Sequence, residues 1–166
     1  MKEIPTNNGE CVFDMSKRTN VMLVFLRHFG CPFCKETLND LSKDRNKIEK
    51  YGTNIVLVHM LPEELAERIL KLYGLERVSH IGDPNMELYH HFGLKKAKYS
   101  QLLCLKSIFR AFKAIVINGH LTGKPLGCCY QLPGVFVLSE GEVKKSFVHR
   151  TPADRPNYIN LLEPVS

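Results

Sequence analysis

Residues 21–36, VMLVFLRHFGCPFCKE, constrain the fold more than any other part of the chain. The first six residues form an unbroken apolar run, which predicts a strand buried on both faces, as in a parallel sheet. A turn over residues 27–30 follows, and Pro32 stands where a helix takes its first residue. The sequence therefore predicts a buried strand that ends beside the N-terminus of a helix.

Two cysteines, Cys31 and Cys34, lie at C-x-x-C spacing where that helix begins. The unpaired N–H groups and the dipole of a helix N-terminus stabilise a thiolate, so we expect the pKa of Cys31 to lie below the ~8.5 of a free cysteine. Cys34 follows one helical turn later and can close a disulfide with Cys31. The spacing predicts redox chemistry in which Cys31 attacks and Cys34 resolves.

Two other interpretations of the pair stay open, half of a zinc site and two packed core cysteines. A structural zinc site usually has four ligands, and the chain has no second C-x-x-C. Inert buried cysteines would not require Pro32 or the change from strand to helix. Redox use is therefore favoured, and we expect neither a bound metal nor a cofactor.

Length and composition predict one domain. The 166 residues, 44% of them hydrophobic, predict a single domain over residues 1–166 that buries about 70% of its unfolded surface. The N-terminal residues lack an apolar signal, and no run of ~18 apolar residues occurs, so we expect a cytoplasmic protein without a transmembrane segment. The net charge of +6 is scattered and no nucleic-acid motif is present, so we expect no nucleic-acid partner.

The rest of the chain predicts alternating strands and helices around this stretch. Residues 1–20 are polar and are expected to be mostly irregular. His59, near the end of the second strand, is interpreted as a buried histidine of the sheet rim rather than a catalytic group. The predicted helices are 32–51, 62–73, 85–92 and 157–162, and the predicted strands are 21–26, 54–60, 78–81, 135–138 and 143–148, the last two forming an antiparallel hairpin.

A basic amphipathic pattern at residues 98–113 lies within a predicted helical insertion, 95–127. The apolar face of such a helix usually covers a sheet or closes a substrate pocket. Binding to a partner or to a membrane surface is the alternative.

Strand, helix and strand, followed later by a hairpin, with a dithiol after the first strand, is the thioredoxin layout. Four segments, 24–36, 81–94, 131–143 and 149–158, extend this likeness over nearly the whole chain from residue 21. The sequence resembles the peroxiredoxin-like branch of the alkyl hydroperoxide reductase and thiol-specific antioxidant family, in the thioredoxin-like superfamily. The resemblance implies an α/β thioredoxin-like fold, a mixed central sheet flanked by helices, with the helical insertion before the final hairpin.

The resemblance also implies roles for single residues. Cys31 occupies the position of the peroxidatic cysteine. Pro133 matches the proline that is cis in many thioredoxin-like proteins and faces the C-x-x-C, so the resemblance implies a cis Leu132–Pro133 bond. Arg150, and as a second candidate Arg27, would stabilise the thiolate and polarise a peroxide.

Two features depart from the family pattern. Typical members carry a threonine three residues before the peroxidatic cysteine, where this chain has His28, which could donate a hydrogen bond in its place. The adjacent pair Cys128 and Cys129 is also unusual. Either sulfur could resolve an oxidised Cys31, the pair could complete a zinc site with the C-x-x-C, or both could be ordinary loop cysteines.

The sequence thus predicts a thiol-dependent antioxidant oxidoreductase that reduces peroxides, with a thioredoxin- or glutaredoxin-type protein as its reductant. One alternative is thiol–disulfide exchange on protein disulfides. The other is a metal-binding or interaction module that keeps the fold without catalysis. A homodimer is an assembly that the sequence leaves open.

Overall fold

The computed structural model describes residues 4–27, 29, 32–97, 130–151 and 153–163. These residues form a mixed α/β structure, as expected. In chain order the elements are α1 (Val12–Arg18), β1 (Asn20–Phe25), α2 (Pro32–Lys50), β2 (Thr53–His59), α3 (Glu63–Leu72), β3 (Ser79–Gly82), α4 (Glu87–His91), β4 (Gly134–Ser139) and β5 (Glu142–Val148).

The five strands form one sheet in the order β3-β2-β1-β4-β5. β1 is parallel to β2, and β2 is parallel to β3, whereas β4 is antiparallel to both β1 and β5. β1 is therefore the central strand: Val24 pairs with Leu57 of β2 on one side and with Val135 of β4 on the other. The expected parallel pair joined by a helix and the expected hairpin are both confirmed.

Successive residues of β1 point to opposite faces of the sheet, and both faces are covered. Met22 and Val24 pack in a cluster with α2 and α3, called the α2/α3 cluster here, whose members include Leu38 and Leu70. The alternating β1 residues Val21, Leu23 and Phe25 pack on the other face in a second cluster with α1 and α4, called the α1/α4 cluster. Its members from those helices include Val12, Met15 and Tyr89. The prediction that the first strand is buried on both faces is confirmed.

α1 was not predicted, because residues 1–20 were expected to be mostly irregular. Val12 and Met15 lie three residues apart, so a helix places both on the face that covers the α1/α4 cluster. Asp14 in the first turn and Lys17 in the last turn suit the helix dipole. The seven-residue length is too short to give a clear periodicity.

Two other predicted elements differ. Residues 157–162 form turns rather than a helix. The Asn157 side chain accepts the N–H groups of Ile159 and Asn160, as a helix N-cap does, but the N–H of Leu162 returns only three residues, to Ile159, and no regular helix follows. Residues 95–97 are extended instead of helical, since Lys96 pairs with Gln131. The remainder of the predicted insertion, including the 98–113 pattern, lies outside the described residues.

The turn of the β4–β5 hairpin and the outer edge of β3 each have a defined geometry. Glu140 and Gly141 connect β4 to β5 with φ values of 54° and 78°, the pattern of a two-residue type I′ turn. At the opposite edge, Asn7 covers β3: its side chain accepts the N–H of His80, and its own N–H donates to the carbonyl of His80.

No helix in the described part of the chain is both long enough and apolar enough to span a bilayer.

Candidate active site

A small cavity lies where the chain leaves β1 and enters α2. Arg27, Cys34 and Pro133, three residues singled out from the sequence, all line it. Its volume of about 20 Å³ is enough for about one water molecule. The structure therefore brings the second cysteine of the C-x-x-C together with an arginine and with the proline before β4.

Cys34 is 4% exposed and faces the interior from the first turn of α2. Tyrosines from three different parts of the chain lie near it. Burial raises the pKa of Tyr73, Tyr89 and Tyr158, and in each case the neighbouring Cys34 raises it further. All three hydroxyls are therefore neutral at physiological pH, and none of the three tyrosines is among the residues that line the cavity.

Charged and titratable side chains line the rest of the cavity. Arg27 and Glu36 are each 8% exposed, and His149 is 6% exposed. Asp40 and Arg155 also line the cavity and form an ion pair with each other. Sulfur chemistry in this cavity would therefore proceed among buried charges, where electrostatic effects are stronger than in water.

Four residues of the cavity were not predicted from the sequence: Glu36, Asp40, His149 and Arg155. The first two could have been found, since residues 33, 36, 37 and 40 recur at the 3–4-residue spacing of one helix face and line the cavity together. His149 and Arg155 lie in the 149–158 segment, but their spacing does not show that this segment packs beside Cys34. Their approach depends on the sheet, because β5 delivers this segment to the carboxyl end of β1.

Pro133 forms part of the cavity wall, but its peptide bond was predicted wrongly. The described residues contain no cis peptide bond, so Leu132–Pro133 is trans. Here the chain is held extended on both sides of the bond: the N–H of Leu132 donates to Lys95, and the carbonyl of Pro133 accepts the N–H of His149. A trans bond continues this pairing into β4, and it is the form that X–Pro bonds favour.

Arg150 is exposed and is not among the residues that line the cavity. Its backbone N–H and that of Thr151 donate to the Asp154 carboxylate at 2.8 and 2.9 Å, which shapes the turn after β5. Arg155, further along the same turn, is the arginine of this segment that reaches the cavity. The thiolate-stabilising role of Arg150 stays a prediction.

Four other predicted site residues, His28, Cys31, Cys128 and Cys129, lie outside the described residues. Their predicted roles, and the zinc alternative that involves three of them, stay predictions. In the ranges that are described, no three histidine, cysteine or acidic side chains are grouped to hold a metal ion.

His59 is fully buried, in accord with its interpretation as a structural histidine. Its Nε2 lies 3.0 Å from Nδ1 of His80, and its Nδ1 accepts the N–H of Leu61. Burial, with a smaller effect of His80, lowers the pKa of His59 to about 4. The Phe29 ring, from the loop before the C-x-x-C, contacts His59 edge-on with 6.2 Å between ring centroids.

The sheet, its flanking helices and this cavity together define a thioredoxin-like fold of the peroxiredoxin kind. Two solved structures show the likeness. Peroxiredoxin 6 of Arenicola marina matches with a TM-score of 0.62 and 17% identity, covering 97% of this chain and 66% of that one. Peroxiredoxin Q of Xanthomonas campestris matches with a TM-score of 0.61 and 15% identity, covering 89% and 79%.

Similar sequences carry more particular names. Prostamide/prostaglandin F synthase of Danio rerio is 27% identical over 161 residues, which is 91% of this chain and 77% of that protein. Peroxiredoxin-like 2C of Homo sapiens is 26% identical over 148 residues, or 81% of this chain and 62% of that protein. No protein-family model matches the chain. These names and folds confirm the resemblance to the peroxiredoxin-like branch and support a thioredoxin-fold redox enzyme.

Proposed function

We propose that this protein is a thiol-dependent peroxide reductase, with Cys31 as the attacking cysteine and Cys34 as the resolving cysteine. The observation that carries the proposal is the cavity in which Cys34 lies with Arg27 and Pro133 at the carboxyl end of β1. Ligands and substrates of open α/β sheets bind at this end of the strands. The relatives named peroxiredoxin-like and the peroxiredoxin-like fold add support.

The reaction begins when the Cys31 thiolate attacks one oxygen of the peroxide. An S–O bond forms, the O–O bond breaks, and the leaving alkoxide or hydroxide takes up a proton, so that Cys31 becomes a sulfenic acid. Cys34 then loses its thiol proton and attacks the sulfur of Cys31. The disulfide forms, and the displaced hydroxide leaves as water.

An external dithiol closes the cycle by thiol–disulfide exchange. It is oxidised to a disulfide while Cys31 and Cys34 return to thiols. We propose a thioredoxin- or glutaredoxin-type protein for this step. Cytoplasmic location and assembly as a homodimer stay predictions.

The names of several relatives favour a second candidate substrate. Proteins of Danio rerio and Salmo salar, 27% and 29% identical to this chain, are named prostamide/prostaglandin F synthase. With a cyclic lipid peroxide, attack by the Cys31 thiolate breaks the O–O bond, leaves one oxygen bound to the Cys31 sulfur as a sulfenate ester and frees the other as an alcohol once it takes up a proton. Attack by Cys34 on the Cys31 sulfur then breaks the S–O bond, forms the disulfide and releases the second oxygen, so that the product is a diol. A prostaglandin-type cyclic peroxide is therefore the second substrate to test beside hydrogen peroxide.

The decisive experiment is stopped-flow oxidation of the reduced protein by each peroxide, with mass spectrometry of the products. We expect rapid formation of a Cys31–Cys34 disulfide in the wild type. Cys31→Ser should abolish the fast reaction, and Cys34→Ser should leave it intact but accumulate sulfenic acid. Cys11→Ser is the matched control, because Cys11 lies at the start of α1, away from the cavity, and should change nothing.

Oxidation of the wild type no faster than that of free cysteine would contradict peroxide reduction. If the oxidised protein then exchanged rapidly with protein disulfides, it would belong to the disulfide-exchange class. A faster reaction with the cyclic lipid peroxide than with hydrogen peroxide would select the second substrate.

A further inference from the structure

We propose that Tyr89 is a positioning residue of this site, whose hydroxyl holds the carboxyl end of β1 so that Arg27 faces the cavity lined by Cys34. The proposal rests on the redox function proposed above and adds a residue that lies outside the lining of the cavity. Tyr89 lies in α4, more than fifty residues from the C-x-x-C in sequence.

The Tyr89 hydroxyl joins the ends of two neighbouring parallel strands. Its oxygen lies 2.5 Å from the carbonyl oxygen of Leu26 and 3.1 Å from that of Val58. The N–H of Leu26 donates to the same Val58 carbonyl at 2.9 Å. Both backbone polar groups of Leu26 are therefore hydrogen-bonded, and Leu26 is the residue directly before Arg27.

Packing and hydrogen bonds fix the position of Tyr89. Its side chain is fully buried, and its ring packs edge-on against Phe25 with 5.0 Å between centroids. The Asp83 carboxylate accepts the N–H groups of Glu87 and Leu88 at 3.0 and 2.8 Å and so fixes the start of α4. The N–H of Asp83 in turn donates to the carbonyl of His59 at 2.6 Å. α4 is thus tied to the end of β2 and presents the hydroxyl from a fixed position.

These hydrogen bonds fix the backbone directly before Arg27. Arg27 is 8% exposed and shares its cavity with the buried Cys34. The other charged or titratable groups that line this cavity are Glu36, Asp40, His149, Asp154 and Arg155. A guanidinium in such a cavity favours the thiolate over the thiol, since it offsets the cost of burying a negative charge. Cys34 needs its thiolate form when it attacks an oxidised partner sulfur. A shift of the Leu26–Arg27 backbone would therefore weaken this stabilisation.

The test is the pH titration of Cys34, read from its ¹³Cβ NMR signal in the reduced, cysteine-labelled Cys31→Ser protein, which needs no reagent to enter the cavity. Tyr89→Phe keeps the ring and removes the hydroxyl. We expect it to raise the titration midpoint of Cys34 by about one pH unit, which is about a tenfold loss of thiolate at neutral pH. Tyr51→Phe, at a half-exposed tyrosine after α2, is the matched control and should leave the midpoint unchanged.

A double variant separates positioning from a general loosening of the fold. If Tyr89 acts through Arg27, then Arg27→Gln raises the midpoint, and adding Tyr89→Phe raises it no further. An unchanged midpoint in Tyr89→Phe, or additive shifts in the double variant, would overturn the proposal.

If Tyr89→Phe fails to fold, Asp83→Asn is the second variant, because it weakens the hydrogen bonds at the start of α4 while keeping the Tyr89 hydroxyl. An unchanged midpoint in Asp83→Asn would equally overturn the proposal. Because no peroxide is used, failure here is distinct from failure of the proposed peroxidase reaction.

Discussion

The buried pair His59 and His80 shows how one hydrogen bond fixes the state of two side chains. Nδ1 of His59 accepts the N–H of Leu61, so the proton of the neutral ring is on Nε2 and is donated to Nδ1 of His80. His80 then carries its proton on Nε2, a buried nitrogen without a protein partner among the described residues. A second proton on His59 would have to displace the Leu61 N–H.

This pair predicts a loss of stability in acid. Burial and His80 lower the pKa of His59 from 6.5 to about 4, so the unfolded chain binds a proton at higher pH than the folded protein does. The free energy of unfolding should therefore fall as the pH drops below 6.5 and level off below 4, by about 3 kcal/mol at ~1.36 kcal/mol per pKa unit. Urea unfolding at a series of pH values measures this.

The comparison between His59→Gln and His90→Gln isolates the effect. His59→Gln should flatten the pH dependence between 6.5 and 4, whereas the exposed His90 should make no such difference. An equal slope in wild type and His59→Gln would show that His59 does not govern acid stability.

At the scale of single elements, the β4–β5 hairpin offers a test of turn chemistry. Glu140 has a φ of 54°, which is unfavourable for a side chain of this kind, whereas asparagine tolerates it well. Glu140→Asn should therefore raise the free energy of unfolding by roughly 0.5–1 kcal/mol. The exposed ion pair between Glu140 and Lys144 that it removes contributes little.

Gly141→Ala should act in the opposite direction. At a φ of 78° a β-carbon is strained, and it would lie 2.8 Å from the Phe13 ring. We expect a loss of roughly 1–3 kcal/mol in thermal or urea unfolding. Glu142→Asn, at a strand position beside the turn, is the control for both variants and should not stabilise. A stabilising Gly141→Ala would contradict the type I′ assignment.

Elements with a strong local signal were predictable from the sequence, and those set by distant contacts were not. β1 and α2 were predictable because the apolar run, the turn, Pro32 and the helical periodicity all indicate a strand followed by a helix at this point. Cys34 was placed correctly at the start of α2 for the same reason. The trans geometry before Pro133 and the approach of Arg155 to the cavity depend on pairing with residues far along the chain, which no local pattern encodes.

At the scale of the whole molecule, β1 links the two apolar clusters, because its successive side chains enter one cluster and then the other. A single domain remains a prediction, and this arrangement gives it a test. Val21 and Val24 are 0% and 1% exposed and lie on opposite faces of the sheet. Val21→Ala and Val24→Ala should each cost about 2 kcal/mol.

Both variants should unfold in one transition, with circular dichroism and tyrosine fluorescence giving coincident curves in urea. A curve that splits in either variant would mean that the two clusters unfold separately. In that case the sheet would not couple its two faces.

Asn7 has a consequence for how copies of this protein can meet. It occupies both hydrogen-bonding groups of His80, so an incoming strand cannot pair there without first displacing the N-terminal segment. In the ranges that the structure describes, β5 is the other edge of the sheet and is the strand at which a neighbouring chain could add. A continuous sheet built from two molecules would therefore extend from β5 rather than from β3.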